Sequence, residues 1–333
     1  MLVGAVALPL GSYVYTGFQP AYAQAVEDTN PRANYWRAVR SGDQGYTSVV
    51  GQETNVLVQN GGQNWRQYRN RLLANYGGWA LFGLALLILL FFGWRGRVNI
   101  SKGRSGVMIM RWSSLERFVH WYTAILFVIL TITGLSMLFG RAVLIPLLGP
   151  RGFAAWADIA MGLHNVLGPA FSIGVVVMIL MWIPRNLPQK GDGEWLAKFG
   201  GMFNDDVHPP SGRVNAGEKI WFWIIATVGV GVIVTGFILD FPNYGQTRET
   251  MQLANIIHGA LALVWVGVWF GHAYLGTIGT EGTLEGMTGG YVDANWAEQH
   301  HDLWYEEVRH GGTQAPQGAT ERAKPGPGGE QPA

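Results

Sequence analysis

Five nearly unbroken apolar stretches interrupt an otherwise polar chain, at roughly 77–94, 118–140, 161–183, 220–239 and 254–278. Each is long enough to cross a hydrocarbon core of about 30 Å as a helix. The pattern therefore predicts an all-α membrane protein. The first stretch, GGWALFGLALLILLFFGW, has no polar side chain except its Trp indoles. The other four carry histidines, glycines and threonines.

The flanks divide the rest. Residues 1–25 are apolar and end in Ala-x-Ala triplets at Ala21–Ala23 and Ala23–Ala25, which resemble signal-peptidase sites although a basic n-region is missing. A cleaved signal peptide is expected, followed by a polar extracytoplasmic segment over 26–76. The last four stretches occupy 110–280, an amphipathic cytoplasmic segment 281–311, and a Pro/Gly-rich tail, expected to be disordered, 312–333.

Composition agrees with the pattern. Only 14% of residues are charged and 49% are hydrophobic, where soluble domains run nearer a quarter charged. The net charge of +1 gives no field for nucleic acid. Cysteine is absent, which removes disulfides, thiolate metal sites and C-x-x-C-H haem attachment from this chain. Any haem here must be held non-covalently.

Basic residues set the orientation. The loop after the first stretch holds Arg95, Arg97, Lys102, Arg104 and Arg111, and the loop after the third holds Arg185, Lys190, Lys198, Arg213 and Lys219. The alternate loops hold only Arg141 and Arg151, and Arg248. The positive-inside bias makes the rich loops cytoplasmic, so the N-terminal segment is periplasmic and the C-terminus cytoplasmic, in a bacterial inner membrane.

Four of the eight histidines lie in these stretches: His120, His164, His258 and His272. His258 and His272 are fourteen residues apart in one helix, which places them within about 40° of the same face and about 21 Å apart along it. The orientation puts His120 with His272 at the inner depth and His164 with His258 at the outer depth. Two neutral imidazoles facing each other are what a bis-histidine haem iron requires. Four ionisable side chains paired by depth are hard to assign to ordinary core hydrogen bonding, and a proton or metal-ion path would bring intramembrane carboxylates that are nearly lacking. The four stretches are thus read as di-haem, with His164 and His258 on the outer iron and His120 and His272 on the inner. Gly134 and Gly236, in the related TITGL and IVTGF runs, would let a macrocycle or a helix approach closely. Arg117 shares a face with His120 and is a candidate for a haem propionate, the alternative being an interfacial snorkelling arginine. His208 and His310 are expected in solvent, as are His300 and His301 in WAEQHHDLWYEEV.

The runs RWSSLERFVHW, GLHNVLGP, GRVNAGEKIWFW, IIHGALAL, GHAYLGTI and EGMTGGYVDANWAEQHHDLWYEEV, over about 110–310, resemble the cytochrome b (gamma) subunit of membrane-bound formate dehydrogenase. More broadly they resemble the di-haem cytochrome b subunits of Ni/Fe hydrogenases. The resemblance implies that the last four stretches form a four-helix transmembrane bundle, with the first stretch as one extra N-terminal transmembrane helix. It also implies two b-type haems on the pairs above, and a quinone site beside the inner haem using Asn215, Gly217 and His272. An amide and a backbone N–H suit a quinone carbonyl, although Asn215 also fits a helix N-cap. Glu218 beside them is a candidate for proton uptake. The resemblance further implies partners: an iron–sulfur electron-transfer subunit, a molybdenum or tungsten catalytic subunit that oxidises formate, and the membrane quinone pool. The competing readings are a hydrogenase cytochrome b subunit and a stand-alone quinol-linked di-haem oxidoreductase.

Overall fold

A computed structural model describes residues 36–37, 41, 60–204 and 206–311. The expected signal peptide, most of the segment before residue 60 and the tail from 312 lie outside the described residues. Four helical stretches among those described are long and apolar enough to cross a membrane: Gly62–Arg95, Ser114–Arg185, Ala216–Asp240 and Arg248–Gly279. At 72 residues, the second would extend about 108 Å if straight. It is broken at Gly149, whose φ of 69° and ψ of 169° only glycine adopts readily. Pro150 follows and starts the second limb without needing a donor. One run of helix thus supplies the two stretches expected at 118–140 and 161–183.

In chain order the regular elements are α1 (Asn60–Gln67), α2 (Gly78–Arg95), β1 (Met108–Met110), α3 (Ser114–Trp182) and α4 (Asp192–Ala197). They continue with α5 (Ala216–Ile224), α6 (Val230–Asp240), α7 (Arg248–Tyr274), α8 (Thr283–Thr288), β2 (Tyr291–Asp293), α9 (Ala294–His300) and α10 (Asp302–Gly311). A π-helical stretch, Tyr68–Gly77, joins α1 to α2, so helix begins well before the apolar run expected from residue 77. The polar turns are held by specific bonds: Trp65 Nε1 donates to Asn255 Oδ1 at 3.0 Å, and Arg69 donates to the Met137 carbonyl at 3.2 Å.

The chain forms two compact units. The first comprises residues up to Leu86, Thr123–Val175 and Ile225–Val268. Phe127, Phe171 and Trp265 pack together in it, with ring centroids 5.1–6.1 Å apart. Glycines let its helices approach: a Cβ at Gly77 would lie 2.5 Å from a Leu263 methyl, and one at Gly229 would lie 2.8 Å from the Trp265 indole.

The second unit comprises Leu87–Tyr122, Val176–Ile224 and the chain from Trp269. Here the connection after α2 pairs with the chain after α7. Strand β1 runs antiparallel to β2 with Ile109 opposite Val292, and Val98 bridges Thr280. Ile100, Ile109, Val292, Ala294, Trp296, Ala297 and Trp304 form a buried apolar core behind this pairing. Ser113 and Glu116 make a reciprocal capping box that starts α3.

Candidate functional site

His164 and His258 belong to the first unit. Each rests against a Thr-Gly pair of a neighbouring helical segment. His164 Nδ1 is 2.8 Å from Thr133 Oγ1, and His258 Nδ1 is 3.2 Å from Thr235 Oγ1 and 3.1 Å from the Val232 carbonyl. Both hydroxyls already donate one turn back, Thr133 to Ile129 at 2.9 Å and Thr235 to Gly231 at 2.7 Å. They are left to accept, so the ring proton sits on Nδ1 and Nε2 keeps its lone pair for a metal. The following glycines admit the rings: a Cβ at Gly134 would lie 3.2 Å from His164 Cε1, and one at Gly236 would lie 3.4 Å from His258 Cε1. The close approach expected at these glycines is therefore made by the histidine rings.

His120 and His272 belong to the second unit and have different surroundings. The His272 ring stacks on Trp221 at 4.6 Å and 13°, and His120 sits edge-on to Trp121 at 5.1 Å. His120 Nδ1 is buried with no hydrogen-bond partner among the described residues.

Both pairs have the same spacing, 6.2 Å between ring centroids. Two imidazoles joined directly by an N–H···N bond of about 2.9 Å would stand roughly 5.2 Å apart. Two imidazoles on opposite sides of one metal, with bonds of about 2.0 Å, would stand roughly 6.3 Å apart. The observed spacing is longer than a direct N–H···N contact and leaves room for a metal between the rings, so the residues fit bis-histidine haem iron.

A buried polar cluster lies beside α5 in the second unit. The Asn215 side chain caps α5 by accepting from Glu218 N at 2.9 Å, and Glu218 returns the bond to Asn215 N at 2.9 Å. The N-cap role is thus real, and it engages only the amide oxygen. Gly217 lies under an indole, since a Cβ there would fall 2.7 Å from Trp195. Glu218 also accepts from Arg111 Nη2 at 2.8 and 3.1 Å, and the same nitrogen contacts His301 Nε2 at 2.9 Å. His301 Nδ1 donates to the Gly212 carbonyl at 2.7 Å. The Arg111 guanidinium lies 5.2 Å from the Trp112 ring and 4.7 Å from the Trp296 ring. Arg117 donates to the Thr288 carbonyl at 2.6 Å and to Ser114 Oγ at 3.2 Å, which fastens α8 to the start of α3.

One expectation is overturned here. His300 and His301 do not share a solvated face: His301 is 1% exposed, and the Nε2 of half-buried His300 is enclosed. Arg111, far away in sequence, covers that face, so local periodicity could not reveal the contact. His208 and His310 are exposed, as expected.

These buried histidines make the second unit sensitive to acid. Burial, reinforced by Arg111, pushes His301 well below its usual 6.5, and burial with His208 and Arg111 pushes His300 down to about 4. A neutral folded histidine that would be protonated once unfolded contributes stability above about pH 6.5. That contribution is lost as pH falls from there toward 4. Thermal midpoints read from Trp fluorescence are expected to hold from about pH 7.5 to about 6.5 and then to drop steadily toward about pH 4.5, with the drop reduced in His300→Phe. A pH-independent midpoint would refute this assignment.

Two pairs of neighbouring histidines thus lie on helices long and apolar enough to cross a membrane, an arrangement that suits a membrane cytochrome. Residues 111–290, more than half of the chain, match the family described as prokaryotic cytochrome b561, and the chain belongs to that family. Membership implies haem b. The chain is 28% identical over 212 residues to the cytochrome b556(Fdn) subunit of the nitrate-inducible formate dehydrogenase of Escherichia coli K12, covering 60% of this chain and 92% of the relative. It is 28% identical over 204 residues to the b556(fdo) formate dehydrogenase subunit of the same organism, covering 60% and 93%. The formate dehydrogenase cytochrome b556 subunit of Haemophilus influenzae is 26% identical over 205 residues, covering 60% and 83%.

Proposed function

We propose that this chain is the membrane-anchoring, di-haem cytochrome b subunit of a formate dehydrogenase complex. The observation that carries the reading is the pair of histidine couples, each at 6.2 Å. The relatives named above support the choice of formate dehydrogenase. His164 and His258 hold the outer haem, and His120 and His272 the inner one. When bound, these groups supply one-electron carriers between an external iron–sulfur subunit and quinone near the cytoplasmic face.

The protein's own residues do the rest. Thr133 and Thr235 fix the tautomer and ring direction of the outer ligands. Trp221 holds the His272 plane. Asn215 spends its oxygen on the helix cap and keeps its NH2 group to donate to a quinone carbonyl, with Gly217 and His272 completing the site. Glu218 serves the helix cap and pairs with Arg111, and it remains the candidate for proton uptake beside the quinone site. Arg117 stays a candidate for a haem propionate, although its Nη atoms are engaged by Thr288 and Ser114 and its Nε is buried against Gly290. The excess of Lys and Arg in alternate loops supports a periplasmic N-terminus and a cytoplasmic C-terminus, with α2 as the additional span.

The test is the dithionite-reduced spectrum of the complex purified in mild detergent. Two b-type haems per chain, retention of iron–sulfur and molybdenum or tungsten subunits, and formate-dependent quinone reduction are expected. A colourless chain would sink the di-haem reading, and co-purification with a nickel–iron subunit would replace formate by hydrogen as the donor.

A further inference from the structure

The two histidine pairs have the same spacing but opposite second partners. At His164 and His258, each Nδ1–H has a threonine hydroxyl to donate to, at 2.8 and 3.2 Å. Each hydroxyl is itself polarised by donating to a helix carbonyl, which makes its oxygen a better acceptor. At the other pair, His120 Nδ1 has no acceptor among the described residues, and His272 meets the face of an indole.

The difference has an electronic consequence. An imidazole that donates its distal N–H gains basicity at the metal-binding nitrogen, and outer hydrogen bonds of this kind tune the metal. A more basic axial ligand favours ferric over ferrous iron and so lowers the reduction potential. Second-shell hydrogen bonding is one of the few means a protein has of setting haem potential. The two pairs have the same ligand type, and their centroid spacing is equal, so this difference in partners stands out.

We propose that Thr133 and Thr235 hold the outer haem at a lower reduction potential than the inner one, which biases electron movement from the iron–sulfur side toward quinone. This rests on the di-haem reading above. The threonines are positioning residues: they act through the ligand histidines and touch no substrate. The glycine after each threonine is part of the same device. Its missing Cβ brings the ring within reach of the hydroxyl.

The test is an equilibrium potentiometric titration of the full complex in detergent, followed at the haem b absorption band. Two one-electron components are expected, the lower being the one that disappears in His164→Ala. Thr133→Val and Thr235→Val keep the side-chain outline but remove the hydroxyl acceptor; His258 Nδ1 then keeps only the Val232 carbonyl at 3.1 Å, so Thr133→Val is the more telling of the two. Each is expected to raise the lower component, the pair together by a shift on the order of tenfold in the oxidised-to-reduced ratio, about 59 mV for one electron. The upper component should stay in place, and Thr133→Ser and Thr235→Ser should restore the original value. Valine variants that leave both components unmoved, or move both together, overturn the proposal. If a valine variant fails to assemble, the ordering in the unmodified complex decides: an outer component above the inner one overturns it equally. Fewer than two haems per chain would instead refute the di-haem reading, a result already visible in the reduced spectrum before any titration.

Discussion

On the proposed di-haem reading, replacing His258 by alanine is expected to halve the haem content, from two per chain to one, and to reduce formate-driven quinone reduction to background. The imidazole is held by the Val232 carbonyl at 3.1 Å and by Thr235 at 3.2 Å, and no other imidazole stands opposite His164 at 6.2 Å. Alanine is the best helix former, so α7 should remain intact and the loss should be local. Dithionite should still reduce the haem on His120 and His272, whereas formate should not. That contrast separates a broken path from a misfolded chain. The mirror substitution, His272→Ala, should remove the other haem and leave the first reducible by formate. Retention of both haems in either variant would refute the ligand assignment.

Replacing Arg111 by lysine is expected to cost about 2–4 kcal/mol of stability in the second unit. Its side chain is only 2% exposed, and one guanidinium nitrogen serves Glu218, His301 and the Arg213 carbonyl. Lysine carries the charge but lacks the planar fork and cannot lie flat between Trp112 and Trp296. The cost stays below that of a fully buried ion pair because the Glu218 side chain is 35% exposed. Faster proteolysis between Gly279 and Gly311 and a lower thermal midpoint are expected. The haem on His164 and His258 should keep its spectrum. A lysine variant with the original midpoint would show that the cluster is not what holds this unit together.

Apolar runs and histidine spacing were legible from the chain because a bilayer constrains both strongly. A span must be long and apolar, and a histidine within it needs a reason. The depth argument paired His120 with His272 and His164 with His258, and the structure brings those same residues together. What escaped was everything that depends on distant parts of the chain. Arg111 read as one more cytoplasmic basic residue, yet it is buried against His301 and Trp296. Thr133 and Thr235 stand in TITGL and IVTGF beside glycines whose packing role is the more obvious one. A hydroxyl that accepts from a ring on another helix leaves no local periodicity. The helical start near Asn60 was hidden for a related reason: its polar turns rely on Asn255 and the Met137 carbonyl for partners.

The pairing of β1 with β2 bears on how the protein is made. Ser105 meets Asp293 across 188 residues of sequence, and Ile109 meets Val292. A ribosome completes β1 before any bundle helix exists, so the strand waits without its partner until nearly the whole chain has emerged. Contacts of such long range close slowly and late. The core around Trp296 therefore closes only after residues 291–304 have emerged to meet Ile100 and Ile109. Chains truncated before residue 290 should insert their spans yet lack this closure, because β1 then has no strand to pair with.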